Sequence, residues 1–60
     1  MPVITLEAAS LSKEQKQRLA KEFTESAARI MNMPEEAFYV FLKENSLENV
    51  GVGGKLLSDQ

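Results

Sequence analysis

Sixty residues allow a single domain, 1–60, and a chain this short buries only about 60% of the surface its unfolded form exposes. It contains neither cysteine nor histidine. That excludes disulfides, thiolate or imidazole metal sites, and Ser-His-Asp or Cys-His catalysis. Seven basic against nine acidic residues give a net charge of −2, without the basic excess that nucleic-acid binding requires.

In chain order, Val3–Glu7 alternates and is rich in β-branched residues, so it reads as a strand, with Pro2 tolerated at its start. Ala8, Ala9 and Ser10 form a short connection. Ser12 followed by Gln15 three residues later is a capping-box pattern and predicts a helix start. At 100° per residue Leu19, Phe23, Ala27 and Ile30 fall on one stripe, flanked by Ala20 and Met31. Glu14, Arg18, Lys21, Glu25 and Arg29 fall opposite, where Glu14–Arg18, Lys21–Glu25 and Glu25–Arg29 have i,i+4 spacing. This charged face reads as solvated surface. The helix is expected to end near Asn32, which tolerates a left-handed cap, with Pro34 close behind.

Pro34-Glu35-Glu36 begins a turn, and its adjacent carboxylates read as first-turn acids rather than a catalytic pair. Phe38–Leu42 is the strongest strand signal. Phe38, Val40 and Leu42 share one face, and Tyr39, Phe41 and Lys43 the other. Glu44–Asn49 reads as a polar loop. All three glycines fall in Gly51-Val52-Gly53-Gly54, which marks a tight hairpin. A phosphate-cradling loop would need a Walker pattern and a following helix, and neither is present.

The predicted fold class is therefore α/β (α+β): a β-α-β unit with a C-terminal β-hairpin, its two strands parallel through a right-handed crossover. One helix covers only one face of that sheet. The other face, carrying Tyr39 and Phe41, is expected to be covered by further copies of the chain, making a homo-oligomer. No apolar run reaches the length of a membrane span, and no basic region precedes an apolar segment as in a signal peptide. The expected location is cytoplasmic, with no membrane and no nucleic-acid partner.

One candidate for chemistry remains. If Met1 is removed, Pro2 becomes an N-terminal secondary amine. The reference α-amino pKa is about 7.7–8.0, and an apolar pocket lowers it toward the range where a general base works at neutral pH. Two residues alone are a weak signal, because a proline opening an edge strand is structurally ordinary.

The sequence as a whole resembles the 4-oxalocrotonate tautomerase family. The resemblance runs over nearly the entire chain: Pro2-Val3-Ile4 at the start, Ser12-Lys13-Glu14-Gln15-Lys16 opening the helix, and Pro34. Val40-Phe41-Leu42-Lys43-Glu44 and Asn49-Val50-Gly51-Val52-Gly53-Gly54-Lys55 follow in family order. It looks most like the archaeal-type short members. The resemblance implies hexamers built from three dimers, and no cofactor or metal. It also implies Pro2 as general base, moving a proton between the oxygen and carbon positions of an enol or dienol acid.

The same resemblance points to three departures. Leu11 and Tyr39 stand where dicarboxylate-active members carry arginines, and Val50 stands where an aromatic residue walls the site. Arg18 and Arg29 are expected to face outward and not to substitute. Tyr39 can donate one neutral hydrogen bond to a substrate oxygen, or pack at a subunit interface. Val50 remains apolar and can still help to desolvate Pro2. The expected substrate is a small 2-keto or 2-hydroxy-dienoate type acid, for example a phenylenolpyruvate-like one. The alternative is a weakly active or non-catalytic binding protein on the same scaffold. Nucleophilic attack by Pro2 on a carbonyl needs the same free amine.

Overall fold

The computed structural model describes all sixty residues, Met1–Gln60. Strand β1 (Val3–Ala8) leads to helix α1 (Lys13–Met31), a 3₁₀ turn at Glu35–Ala37 and strand β2 (Tyr39–Glu44). A second 3₁₀ turn at Leu47–Asn49 leads into β3 (Gly51–Val52) and β4 (Lys55–Leu56), and a last turn spans Leu57–Asp59.

Strands β1 and β2 pair in parallel, with Val3 beside Tyr39, Thr5 beside Phe41 and Glu7 beside Lys43 on the outer face. Ile4 beside Val40 and Leu6 beside Leu42 form the half-buried inner face. Each strand runs further than its apolar pattern suggests. Ala8 joins β1 because it pairs with Glu44, and the Asn45 N–H extends the ladder to the Ala8 carbonyl at 2.8 Å. Strand β2 begins at Tyr39 rather than Phe38, because the Phe38 N–H closes the preceding turn on the Glu35 carbonyl. The expected polar loop after β2 contains the 3₁₀ turn, where the Glu48 N–H donates to the Ser46 hydroxyl.

The helix starts and stops where its caps place it. The Gln15 N–H donates to the Ser12 hydroxyl at 3.1 Å, and the Ser12 N–H donates to the Gln15 side chain at 2.9 Å. Asn32 closes the helix in the left-handed region, φ 54°, and its N–H returns to the Ala28 carbonyl. Two expectations for the helix surface are corrected. Arg18 pairs with Glu22 at 2.9 Å rather than with Glu14, and Lys21–Glu25 and Glu25–Arg29 do not form ion pairs. Ile30, central in the apolar stripe, is 77% exposed, and Met31 is also open. The helix is longer than the six-residue strands beneath it, so its last turn overhangs them.

Strands β3 and β4 form an antiparallel hairpin closed by Gly53 and Gly54, both at positive φ (62° and 86°). A two-residue turn with two positive φ values matches the twist of the flanking strands, and glycine adopts it without steric cost.

The isolated chain has almost no interior. Ala28, at 8% exposure, is its one buried residue. Its radius of gyration is 14.7 Å, whereas a compact chain of this length has about 10 Å. Its surface is 4740 Å², about 800 Å² more than the scaling law gives for this mass. One helix and two strands supply two layers, and the outer sheet face and the hairpin arm are left open.

Candidate active site

Pro2 sits at the head of β1, half-buried, and its carbonyl accepts the Tyr39 N–H at 3.0 Å. The alternation of β1 puts Pro2 in phase with Ile4, Leu6 and Ala8, on the side facing the helix. Tyr39 is in phase with Phe41 and Lys43, on the outer face, and is 51% exposed. The backbones of Pro2 and Tyr39 are therefore adjacent while their side chains occupy opposite sheet faces. Around this end the open side chains include apolar ones, Met1 and Val3 from the start of the chain and Tyr39 from β2, together with the charged Glu35 and Glu36 of the segment that enters β2. The overhanging end of α1 adds Ile30 and Met31, because the helix runs back along the strands to this end. With Met1 attached the Pro2 nitrogen is an amide without a basic lone pair. Its removal makes that nitrogen a basic secondary amine.

Val50 lies elsewhere. It caps the Leu47–Asn49 turn, and its carbonyl accepts the Leu57 N–H at 2.8 Å. It lines a hollow with Ala8, Ala9, Asn45, Leu47 and Leu57, at the far end of the sheet. Ala8 lies six residue steps along the strand from Pro2, a distance of about 20 Å. Within one chain Pro2 and Val50 cannot share a site. Leu11 is at that far end too, after β1.

Leu11 opens onto a groove of about 270 Å³ shared with Gln15, Arg18, Leu19, Glu22 and Phe23. Arg18 stands at its rim, its guanidinium held by one oxygen of Glu22 at 3.0 and 2.9 Å, facing solvent. The opposite flank of the helix is polar: Gln17, Lys21 and Thr24 face Glu35 and Glu36, in the segment that enters β2. The groove therefore lies on the flank of the helix that begins at Leu11, just after β1, and the two-stranded sheet leaves the outer edges of both β1 and β2 unpaired.

One charged residue escaped the sequence reading. Glu44 ends β2 on its inner face, where the alternation predicts an apolar residue. One carboxylate oxygen accepts the Leu11 N–H at 3.0 Å and the other accepts the Lys16 ammonium at 2.8 Å. The hydrogen bond from Lys16, then that from Leu11, hold its carboxyl below its ordinary value. The signal was an acid in the inner phase of a strand. Its partners, 33 and 28 residues away, cannot be found by local pattern.

Comparison with known proteins places this geometry in a family. The family model described as "Tautomerase enzyme" matches residues 2–60. The chain belongs to the tautomerase family. A curated relative from Bacillus cereus, named a probable tautomerase, is 38% identical over 61 residues and is matched over the full length of both chains. A crystal structure of a 4-oxalocrotonate tautomerase homologue superposes with a TM-score of 0.91 at 31% identity, over 100% of this chain and 97% of the other. DmpI from Archaeoglobus fulgidus is 36% identical with a TM-score of 0.84, over 97% of this chain and 100% of that one. The expected β-α-β fold with a short hairpin is thus the tautomerase fold, and membership supports an isomerase role. No helix is long and apolar enough to cross a membrane.

Proposed function

We propose that this tautomerase moves a proton between the enol oxygen and a carbon of a small 2-keto or 2-hydroxy-dienoate type acid in the cytoplasm, with Pro2 as base. The observation that carries this is a half-buried Pro2 at the head of β1, in a chain whose family match starts at that residue. In the free-amine form Pro2 takes the proton from the substrate and returns it one or more bonds away. An apolar site keeps the amine unprotonated near neutral pH. Tyr39 donates its hydroxyl hydrogen to the substrate oxygen that gains charge, and Val50 keeps water from the amine. Tyr39 and Leu11 carry no positive charge, so the favoured substrate is aryl or short rather than a dicarboxylate needing two arginines.

The geometry supports a site built from several copies, since Tyr39 faces away from its own Pro2 and Val50 is about 20 Å from it. Self-association is the general property that family membership supports, and a dimer-based hexamer is the specific form proposed. The surface excess of about 800 Å² equals what one partner gives to a standard interface. For the first contact we favour the open edge of β1, because the groove of Leu11, Leu19 and Phe23 begins just after that strand, while Glu35 and Glu36 make polar the flank that leads into β2. A strand that meets its own copy with both helices on one face does so about a two-fold axis normal to the sheet, so the strands run antiparallel. With β1 centred on its copy, Pro2 of one chain lies beside Ala9 of the other.

The deciding experiment combines the intact mass of the mature chain with ketonisation of phenylenolpyruvate and of a dicarboxylic dienol. Loss of Met1, faster turnover of the aryl enol, and a loss of activity of two or more orders of magnitude in Pro2→Ala are expected. A Pro2→Ala chain as fast as wild type refutes the base. A mature chain that keeps Met1 leaves the binding-protein alternative.

A further inference from the structure

The connection between β1 and α1 is fastened far more firmly than a short surface loop requires. Both oxygens of Glu44 are committed, one to the Leu11 N–H and one to Lys16 in the second turn of α1. The next residue adds two more bonds: the Asn45 N–H to the Ala8 carbonyl, and the Asn45 side-chain amide to Glu7 at 3.1 Å. The two ends of the Ala8–Leu11 segment are thus tied to the end of β2. Elsewhere in the chain, side-chain hydrogen bonds span four residues or fewer. In a chain with one buried residue, packing does not hold this segment, and the polar clasp does.

We infer that Glu44 is a positioning residue, whose clasp on Leu11 sets the Ala9–Leu11 segment as a wall over the Pro2 amine of a neighbouring copy. This rests on the two-copy reading of the Pro2 site. There the antiparallel contact brings Pro2 of one chain to Ala9 of the other. Glu44 does not touch the substrate. It acts through Leu11, and the groups facing it are the Leu11 N–H and the Lys16 ammonium. Glu7 and Lys43, on the outer face of the same strand ends, point away from it. A wall displaced by about an ångström admits water to the amine and misplaces the substrate, a scale of error that costs up to about a hundred-fold in rate.

The test follows the nitrogen of Pro2 by ¹⁵N NMR titration in the assembled, Met1-free protein, for wild type, Glu44→Gln and Lys16→Met. Glutamine keeps the shape but offers one acceptor to two donors, so the Leu11 bond competes with Lys16. In Glu44→Gln the Pro2 pKa is expected to rise toward the ordinary α-amine value, with kcat/KM at neutral pH down roughly ten- to a hundred-fold. Lys16→Met leaves the Leu11 bond intact and is expected to keep the wild-type Pro2 pKa. A fall in the Pro2 pKa in Glu44→Gln would mark the carboxylate as a distant charge acting through space, and would overturn the inference. So would an unchanged pKa with the Leu11 amide newly exposed to hydrogen exchange, or an equal rise in Lys16→Met. Failure of the base reading is separate: it appears as full activity in Pro2→Ala, whatever Glu44→Gln does to the titration.

Discussion

Replacing Phe41 by serine tests whether the outer sheet face is an assembly surface. Phe41 stands in the middle of that face, beside Thr5 and between Tyr39 and Lys43, and 47% of it is open in the isolated chain. A phenylalanine side chain buries 150–250 Å² when fully covered, so about 90 Å² of ring remains to be covered by another copy. At 25 cal/mol per Å² that is about 2 kcal/mol for each copy placed on the face. The corresponding factor in the association constant is about 30 per copy. Sedimentation equilibrium over a concentration series reads this directly, with far-UV circular dichroism reporting the helix. Phe41→Ser is expected to dissociate at protein concentrations where wild type stays assembled, and to lose helix as it dissociates. The loss of helix follows because a chain with one buried residue has little to hold it folded alone. The reasoning is refuted if Phe41→Ser assembles with the wild-type constant. It is equally refuted if wild type sediments as a folded monomer at micromolar concentration.

Ser12→Ala removes one half of the capping box and frees the Gln15 N–H; a loss of about 1 kcal/mol in denaturant unfolding at fixed protein concentration is expected. Gly54→Ala places a side chain at φ 86° with no heavy atom within 4 Å of the new Cβ, so its cost is backbone strain alone. About 1–2 kcal/mol is expected in thermal unfolding, and D-alanine at the same position, in a synthetic chain, should restore stability. Glu44 makes stability depend on acid. Its folded carboxyl lies below the ordinary 4.5 because Lys16 and Leu11 bond the charged form. The clasp therefore contributes fully above that ordinary value and is lost as the pH falls through the lower folded value. Unfolding measured down this range should show an acid limb in wild type that is flattened in Glu44→Gln.

The fold was legible in the sequence wherever one short window carried the decision. Ser12 with Gln15 set the helix start, Asn32 its end, and Gly53-Gly54 the hairpin, and each is a local device whose geometry needs no distant partner. The helix surface was legible less well. Arg18 had an acid at both i−4 and i+4, and the choice of Glu22 over Glu14 is a rotamer decision that spacing leaves open. Ile30 was assigned to the core by its angle around the helix. Its exposure was decided by its height along the axis, beyond the end of the strands, and angle carries no information about height.

The site shows the same division more sharply. Alternation within a strand told which of Tyr39, Phe41 and Lys43 share a face. It could not tell how β2 stands against β1, and that register decides whether Pro2 and Tyr39 are neighbours. Only with Val3 paired to Tyr39 does it follow that Pro2 and Tyr39, on opposite faces, are neighbours along the backbone. Val50 poses the same problem at a larger scale, since it lines a hollow at the Ala8 end of the sheet, about 20 Å from its own Pro2. A chain without His or Cys has to make a weak base effective by surrounding it with apolar groups. This chain has too few residues to surround anything by itself. On the proposed function, the shortage of interior and the scattering of Pro2, Tyr39 and Val50 over two faces and two ends have one remedy, an association that both finishes the core and assembles the pocket. Activity and assembly should then fail at the same protein concentration on dilution. A folded, active monomer would separate them and leave the scattered residues without a common role.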